Sequence, residues 1–450
     1  MKRKRVCFRF VSALVLVTAV LLSSPAYTSA ATGRQMAQSA IESLKSASTS
    51  LSLVRNVPTL FWTWFEADFN DGGAYPLTVD FLGSNLATPK GIVYMLPGGG
   101  MNFKSSFLTP IDDNLAQYFR KSGYLVVGIT PREDNVPSTV TKYGFMRTWG
   151  MGAHLRDIGK VIGVIQANPA FAGKPFRVLD HSFGAAYALD YASKCSGLRL
   201  PLPEKVIALD IYSFAPGTEE SMESYFTARL IEDTVMGQEG LYAEGSYAEI
   251  KLLMLASLLL PDVVIPDALV PGLPNDFTFE GFLYYSMIYS TALESVESFD
   301  WPLQGSYAAG SYSLGALGNP WDDSCSLAYS SMCTLREAGL KVGSGLVPFA
   351  VYRDFFEVNA YLGGYGIDWE NISSKVLWVN TALGYNEYMA GASMIPQGST
   401  ESCPYSVLTL VIGGFGHLDI LSNHPLNTRS TSARKANWYW LTYPDYPRIN

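Results

Sequence analysis

The sequence predicts an α/β protein with a mostly parallel central sheet flanked by helices, into which a large, mainly helical cap is inserted after the sixth strand. Three observations lead there. Short, near-continuous apolar runs alternate with helix-length amphipathic stretches, the pattern of strands buried on both faces of a helix-covered sheet. The alternation lapses between 213 and 371 and then resumes. At 450 residues, 48% hydrophobic and 16% charged, the chain can bury a large core.

The elements follow in order. MKRKRVCFRF is basic, VSALVLVTAVLL is apolar and SSPAYTSAA ends in small residues, the layout of a secretory signal peptide over 1–30 with cleavage near Ala30. Its removal deletes five basic residues and no acidic one, moving the net charge from −8 to −13. The expected location is therefore exported, periplasmic or extracellular, and an acidic surface excludes nucleic acid as a partner. TLFWTWFEADF and YPLTVDFLG read as antiparallel strands around an NDGG turn. GIVYMLP (91–97) is a buried strand running into Gly98, Gly99 and Gly100. IDDNLAQYFRKSG is a helix with a glycine stop, and YLVVGIT (124–130) is the next strand. Residues 146–169 carry apolar side chains at helical spacing and stop at Pro169. FRVLD (176–180), a helix from Phe183 to about Ser193, and KVIALDIY (205–212) complete the first part. KVLWVN (375–380), SVLTLVIGG (406–414) and a C-terminal helix end the chain. The predicted core is thus 31–212 with 372–450, and 213–371 is the cap. The longest apolar run in the cap, before Pro261, is too short to span a bilayer.

Open parallel sheets bind ligands outside the carboxyl ends of their strands. Ser182, the three glycines and His417 all fall at such ends. DHSFG (180–184) places Ser182 between a strand and a helix, the nucleophile-elbow position, with Asp180 where a small residue is expected. A serine hydroxyl needs a base, and the base an orienting acid. Of four histidines, His154 reads as a helix-surface or packing residue, His181 should point away from its neighbour Ser182, and His424 lies in a loop before a proline. His417, in GGFGHLD directly after the last apolar strand, is the candidate base. Asp210, ending VIAL, and Glu387, after KVLWVN, compete as the acid. A buried strand-end carboxylate is costly unless paired, which favours Asp210. Asp419 is expected to cap the following helix. Backbone N–H groups of Phe183 and of the glycine turn, at Gly99 and Gly100, are candidate oxyanion donors.

Together LPGGG (96–100), DHSFG, ALD (208–210) and GGFGHLD (413–419) resemble the α/β-hydrolases over about 59–212 and 372–450. The segment VIALDIYSFAPG is similar to that of the platelet-activating-factor acetylhydrolases, which implies Asp210 as the acid. The resemblance implies an exported serine hydrolase that cleaves apolar or lipid-like carboxylic esters through an acyl-enzyme. A peptidase or amidase of the same fold, and a non-catalytic binding protein on a hydrolase scaffold, are the alternatives. A small-molecule ester is the expected partner, with a lipid or membrane surface reached through the cap, which should govern substrate choice and not the chemical step. No cofactor is implied and no Cys/His spacing suggests a metal site. Beyond Cys7 in the signal segment, four cysteines permit disulfides in an exported protein, Cys325 with Cys333 first and Cys195 with Cys403 second.

Overall fold

A nine-stranded sheet, in the order β1-β2-β3-β5-β4-β6-β7-β12-β13, organises the chain. The structure, a computed structural model, describes residues 30–111, 113–236, 242–243, 246–265, 277–289, 306–313, 315, 323–397 and 406–422. The signal segment apart from Ala30, Cys403, His424 and whatever follows Ser422 lie outside the described residues.

The first helix among the described residues is α1 (Gly33–Ala47), started by a capping box in which Thr32 and Gln35 satisfy each other's backbone N–H groups. Met36, Ala37, Ala40, Ile41 and Leu44 form its buried stripe at helical spacing. Then come β1 (Ser50–Pro58), β2 (Trp62–Asn70) and β3 (Leu77–Ser84), paired antiparallel. β4 (Gly91–Leu96) leads through α2 (Phe103–Phe107) and α3 (Leu115–Lys121) to β5 (Tyr124–Thr130). α4 (Met151–Gln166) precedes β6 (Phe176–His181), which runs into α5 (Phe183–Lys194) and then β7 (Lys205–Leu209). From β5 to β13 in sheet order every pairing is parallel.

Alternate residues of the central strands enter two cores. Ile92, Tyr94 and Val178 face α1, α4 and α5, while Val93, Met95 and Leu179 face the layer holding Phe103, Phe107 and Phe119. This two-sided burial is what the continuous apolar runs encode.

The cap leaves after β7, the seventh strand and not the sixth. The additional strand is β1, an edge strand exposed along most of its length, whose sequence lacks the continuous apolar run that marked the others. α6 (Glu219–Leu230), a short β8 (Tyr242–Ala243), α7 (Ser246–Leu259), α8 (Phe279–Ile288), the ribbon of β9 (Gly310–Ser313) and β10 (Ser324–Leu327), α9 (Met332–Lys341), β11 (Val347–Pro348) and α10 (Phe349–Ala360) follow. The chain returns through β12 (Lys375–Thr381), α11 (Ala390–Met394), β13 (Val407–Ile412) and α12 (Asp419–Ser422).

The expected Cys325–Cys333 disulfide is absent: both thiols are free. Cys325 belongs to β10, paired with Tyr312 across the ribbon, whereas Cys333 is exposed in the first turn of α9, so each is committed to a different element. Cys195 is also free and buried, its thiol donating to the Ala192 carbonyl at 3.4 Å. Its expected partner Cys403 lies outside the described residues.

Candidate active site

The turn between β6 and α5 holds Ser182 at φ 55° and ψ −129°, a left-handed backbone that a serine adopts only under constraint. The constraint is visible on both sides. The Ser182 N–H donates to the Leu209 carbonyl of β7 at 2.9 Å. Two residues on, a Cβ at Gly184 would stand 2.4 Å from the Leu96 carbonyl oxygen and 2.6 Å from that of Pro97, so only glycine lets the helix start this close to β4. Asp180, the departure from a small residue, does not crowd the turn. It is fully buried, and its Oδ1 accepts the Leu96 N–H at 2.7 Å. Burial pushes its carboxyl well above the usual carboxylate range, the one backbone hydrogen bond opposing. Asp180 therefore links the ends of β6 and β4.

Asp210, immediately after β7, is fully buried with φ 48°. Its Oδ2 stands 2.6 Å from His417 Nδ1. Its Oδ1 accepts N–H groups from Thr381 at 2.7 Å and Tyr385 at 3.3 Å. Thr381 ends β12, and Tyr385 belongs to the turn that follows it, the segment that carries Glu387. That turn cradles the Asp210 carboxylate and leaves Glu387 exposed. Gly384 is required for the cradle, since a Cβ there would lie 2.2 Å from Asp210 Oδ2.

His417 is ringed by aromatic side chains: His181 at 4.3 Å between centroids, Tyr385 edge-on at 5.1 Å and Tyr307 edge-on at 6.3 Å. His181 is a correction. It shares the cavity wall with Ser182 instead of pointing away, and its Nε2 lies 2.9 Å from the His417 carbonyl oxygen. A carbonyl only accepts, so Nε2 carries the proton and Nδ1 is bare. Burial and the neighbouring His417 hold His181 well below the usual imidazole range, which keeps it neutral. The sequence does not reveal this placement, because adjacent residues of a regular strand face opposite ways and Ser182 is not regular strand.

A partly open pocket lies over Ser182. Gly98, Met101, His181, Ser182, His417 and Leu418 form its core side, and Met254, Met287, Tyr307, Leu335, Ala338, Gly339 and Val342 its cap side. Gly98, and not Gly99 or Gly100, is the glycine at this wall: a Cβ on it would lie 3.1 Å from Ser182 Cβ. Gly99 instead packs beneath the Phe183 ring. Phe183 is the first residue of α5, where the main-chain N–H has no carbonyl one turn back.

Two other expectations resolve here. Of the two readings of His154, packing holds: it is buried, 2.9 Å from the Glu133 carboxylate and stacked on Tyr187 at 4.8 Å. Burial alone would lower its pKa, but the charge and hydrogen bond of Glu133 carry it up to about 9. Asp419 begins α12, yet its fully buried carboxylate reaches beyond its own helix to the cap. Among the described residues no cluster of His, Cys, Asp and Glu could hold a metal ion.

The order of the strands, the elbow after β6 and the turns after β7 and β13 define the α/β-hydrolase fold. No family model matches the sequence, and no curated protein matches it. Among solved structures, the chain is similar to a candidate lipase from Sulfolobus solfataricus at 14% identity and a TM-score of 0.56, covering 87% of this chain and 99% of that one. A thermophilic esterase from Thermogutta terrifontis aligns at 12% identity and a TM-score of 0.39, over 86% of this chain and 98% of that one.

Proposed function

We propose that the protein is a serine hydrolase of carboxylic esters. Ser182 is the nucleophile, His417 the general base and Asp210 the acid that orients it; the 2.6 Å contact between Asp210 and His417 is the observation that carries this reading. In the acylation step Ser182 Oγ bonds to the ester carbonyl carbon while its proton passes to His417 Nε2. The resulting imidazolium is stabilised by Asp210, and its proton leaves with the alkoxide when the tetrahedral adduct collapses to an acyl-enzyme. Water then repeats the sequence and releases the acid. The N–H of Phe183 and one from the Gly98–Gly100 turn would hold the oxyanion.

The substrate side of the reading rests on the cavity wall. Methionines 101, 254 and 287 with Leu335, Val342 and Leu418 present flexible apolar surface, which suits acyl chains better than a peptide backbone with its unmet hydrogen bonds. The outer surface of α7 and the residues after it expose Leu252, Leu255, Leu258, Leu259 and Leu260. That row supports a lipid-like substrate or a lipid surface as the source of substrate. Among the described residues, no helix is long and apolar enough to cross a membrane. Export after cleavage near Ala30 is part of the proposal, and the N-terminal sequence of protein recovered from the host tests it.

A series of nitrophenyl esters of rising chain length, run beside peptide anilides, tests the function. Turnover of esters, absent from Ser182→Ala, is expected. Hydrolysis of the anilides with inert esters would favour the peptidase instead.

A further inference from the structure

The turn that carries His417 is held by the cap as well as by the core, from which the Leu383 N–H donates to the Phe415 carbonyl at 3.0 Å. The His417 N–H donates to the Ser306 carbonyl at 2.8 Å and the Leu418 N–H to the Tyr307 carbonyl at 2.7 Å. In the opposite direction, the Ala309 N–H donates to Asp419 Oδ2 at 2.7 Å. The same oxygen accepts the Gly416 N–H at 2.8 Å, so one carboxylate ties the base turn to itself and to the cap strap. Its other oxygen accepts the Ser330 hydroxyl at 2.5 Å, from a second cap segment. Tyr329, next to Ser330, stacks on Phe415 at 4.1 Å. Asp419 is fully buried, and burial pushes its carboxyl up to about 6 despite the hydrogen bonds that it accepts.

A helix cap alone needs none of this. An Asp side chain that only started α12 would bond N–H groups of its own turn, and it would be solvated. This carboxylate has instead been taken out of water and given donors from two cap segments, an arrangement that is stable only while the cap is docked. We propose that Asp419 is a positioning residue that makes the geometry of the general base conditional on the docked cap. The inference rests on the triad reading above. It reverses the expectation that the cap serves substrate choice alone: the 306–309 strap is part of what holds His417 against Asp210 and over Ser182.

The experiment compares wild type, Asp419→Asn, Ser330→Ala and the double variant. It measures kcat and KM on nitrophenyl acetate, the rate at which a fluorophosphonate labels Ser182, and thermal melting. Nitrophenyl acetate is small enough that the cap walls contribute little to its binding. Asp419→Asn should lower kcat per labelled site by about 10²-fold with KM nearly unchanged, the scale of a displaced catalytic group. Ser330→Ala should lower it less, and the double variant should be no slower than Asp419→Asn, because both changes break one network. A purely structural role would lower the melting temperature and the titratable fraction while leaving kcat per labelled site intact, and that result overturns the proposal. If Asp419→Asn does not fold, Ser330→Ala decides alone: wild-type kcat and labelling rate would overturn it. Absence of labelling at Ser182 in wild type would instead bring down the triad reading, which separates the two failures.

Discussion

At the scale of single residues, the decisive contrast is between two carboxylates. Asp210 and Glu387 both follow neighbouring strands, and their order in sequence left both open. Packing separates them: Asp210 is dry and has N–H donors on one oxygen and His417 on the other, whereas Glu387 faces water. Asp210→Asn should therefore cut ester turnover by roughly four orders of magnitude, by disfavouring the working tautomer and leaving the imidazolium unpaired. Glu387→Gln should leave turnover within a factor of about two, as for a solvated loop carboxylate. Steady-state kinetics on both variants checks the pair. Gly384→Ala reaches the same carboxylate from behind. Its Cβ would stand 2.2 Å from Asp210 Oδ2, so loss of turnover should accompany it in a protein whose circular dichroism is unchanged. The residues legible in the sequence were those whose chemistry is set by local context, Ser182 on its elbow and His417 after its glycines. His181 and Asp419 were misread because their roles depend on what arrives from elsewhere in the chain. The His417 main chain meets the one, and the cap strap meets the other.

At the scale of elements, the buried strands were readable because a strand covered on both faces must be apolar throughout. β4, β5, β6, β7 and β12 appear where their runs appear. β1 did not announce itself, since an edge strand in solvent carries no such requirement, and α1 precedes any strand that would have framed it. The difference has an energetic counterpart. Phe81 of β3 is fully buried, so Phe81→Ala should cost about 3–5 kcal/mol through lost transfer energy and the cavity left behind. Leu53 of β1 is half exposed, and Leu53→Ser should stay within about 0.5 kcal/mol. Denaturant unfolding of the two variants measures both. The cap was visible only as a lapse in alternation. Its tyrosine-dense turns hold their meaning in contacts made at a distance, such as Tyr329 on Phe415 and Tyr307 beside His417.

At the scale of the whole molecule, a sheet with acids locked inside it has a predictable response to pH. Asp80 of β3 is fully buried, and the Trp64 indole N–H donates to it at 2.7 Å. Burial, with the nearby Glu66 charge, pushes its carboxyl up to about 8 from the ordinary 3.8. The folded chain thus keeps this proton up to about pH 8, while the unfolded chain releases it near 3.8. The resulting stabilisation is complete below about pH 4 and is lost as the pH rises through 8. Asp80→Asn keeps the acceptor for Trp64 and removes the titration. The melting temperature of the variant relative to wild type should rise progressively between pH 4 and 8, and a constant difference across that range would contradict the assignment.

The identity of the nucleophile underlies every catalytic statement, and one measurement addresses it directly. The intact protein is treated with a fluorophosphonate, digested, and the modified peptide mapped by mass spectrometry. The triad predicts a single adduct on Ser182, absent from Ser182→Ala and formed far more slowly by His417→Ala and Asp210→Asn. An adduct on another residue, or none on folded wild-type protein, would contradict it.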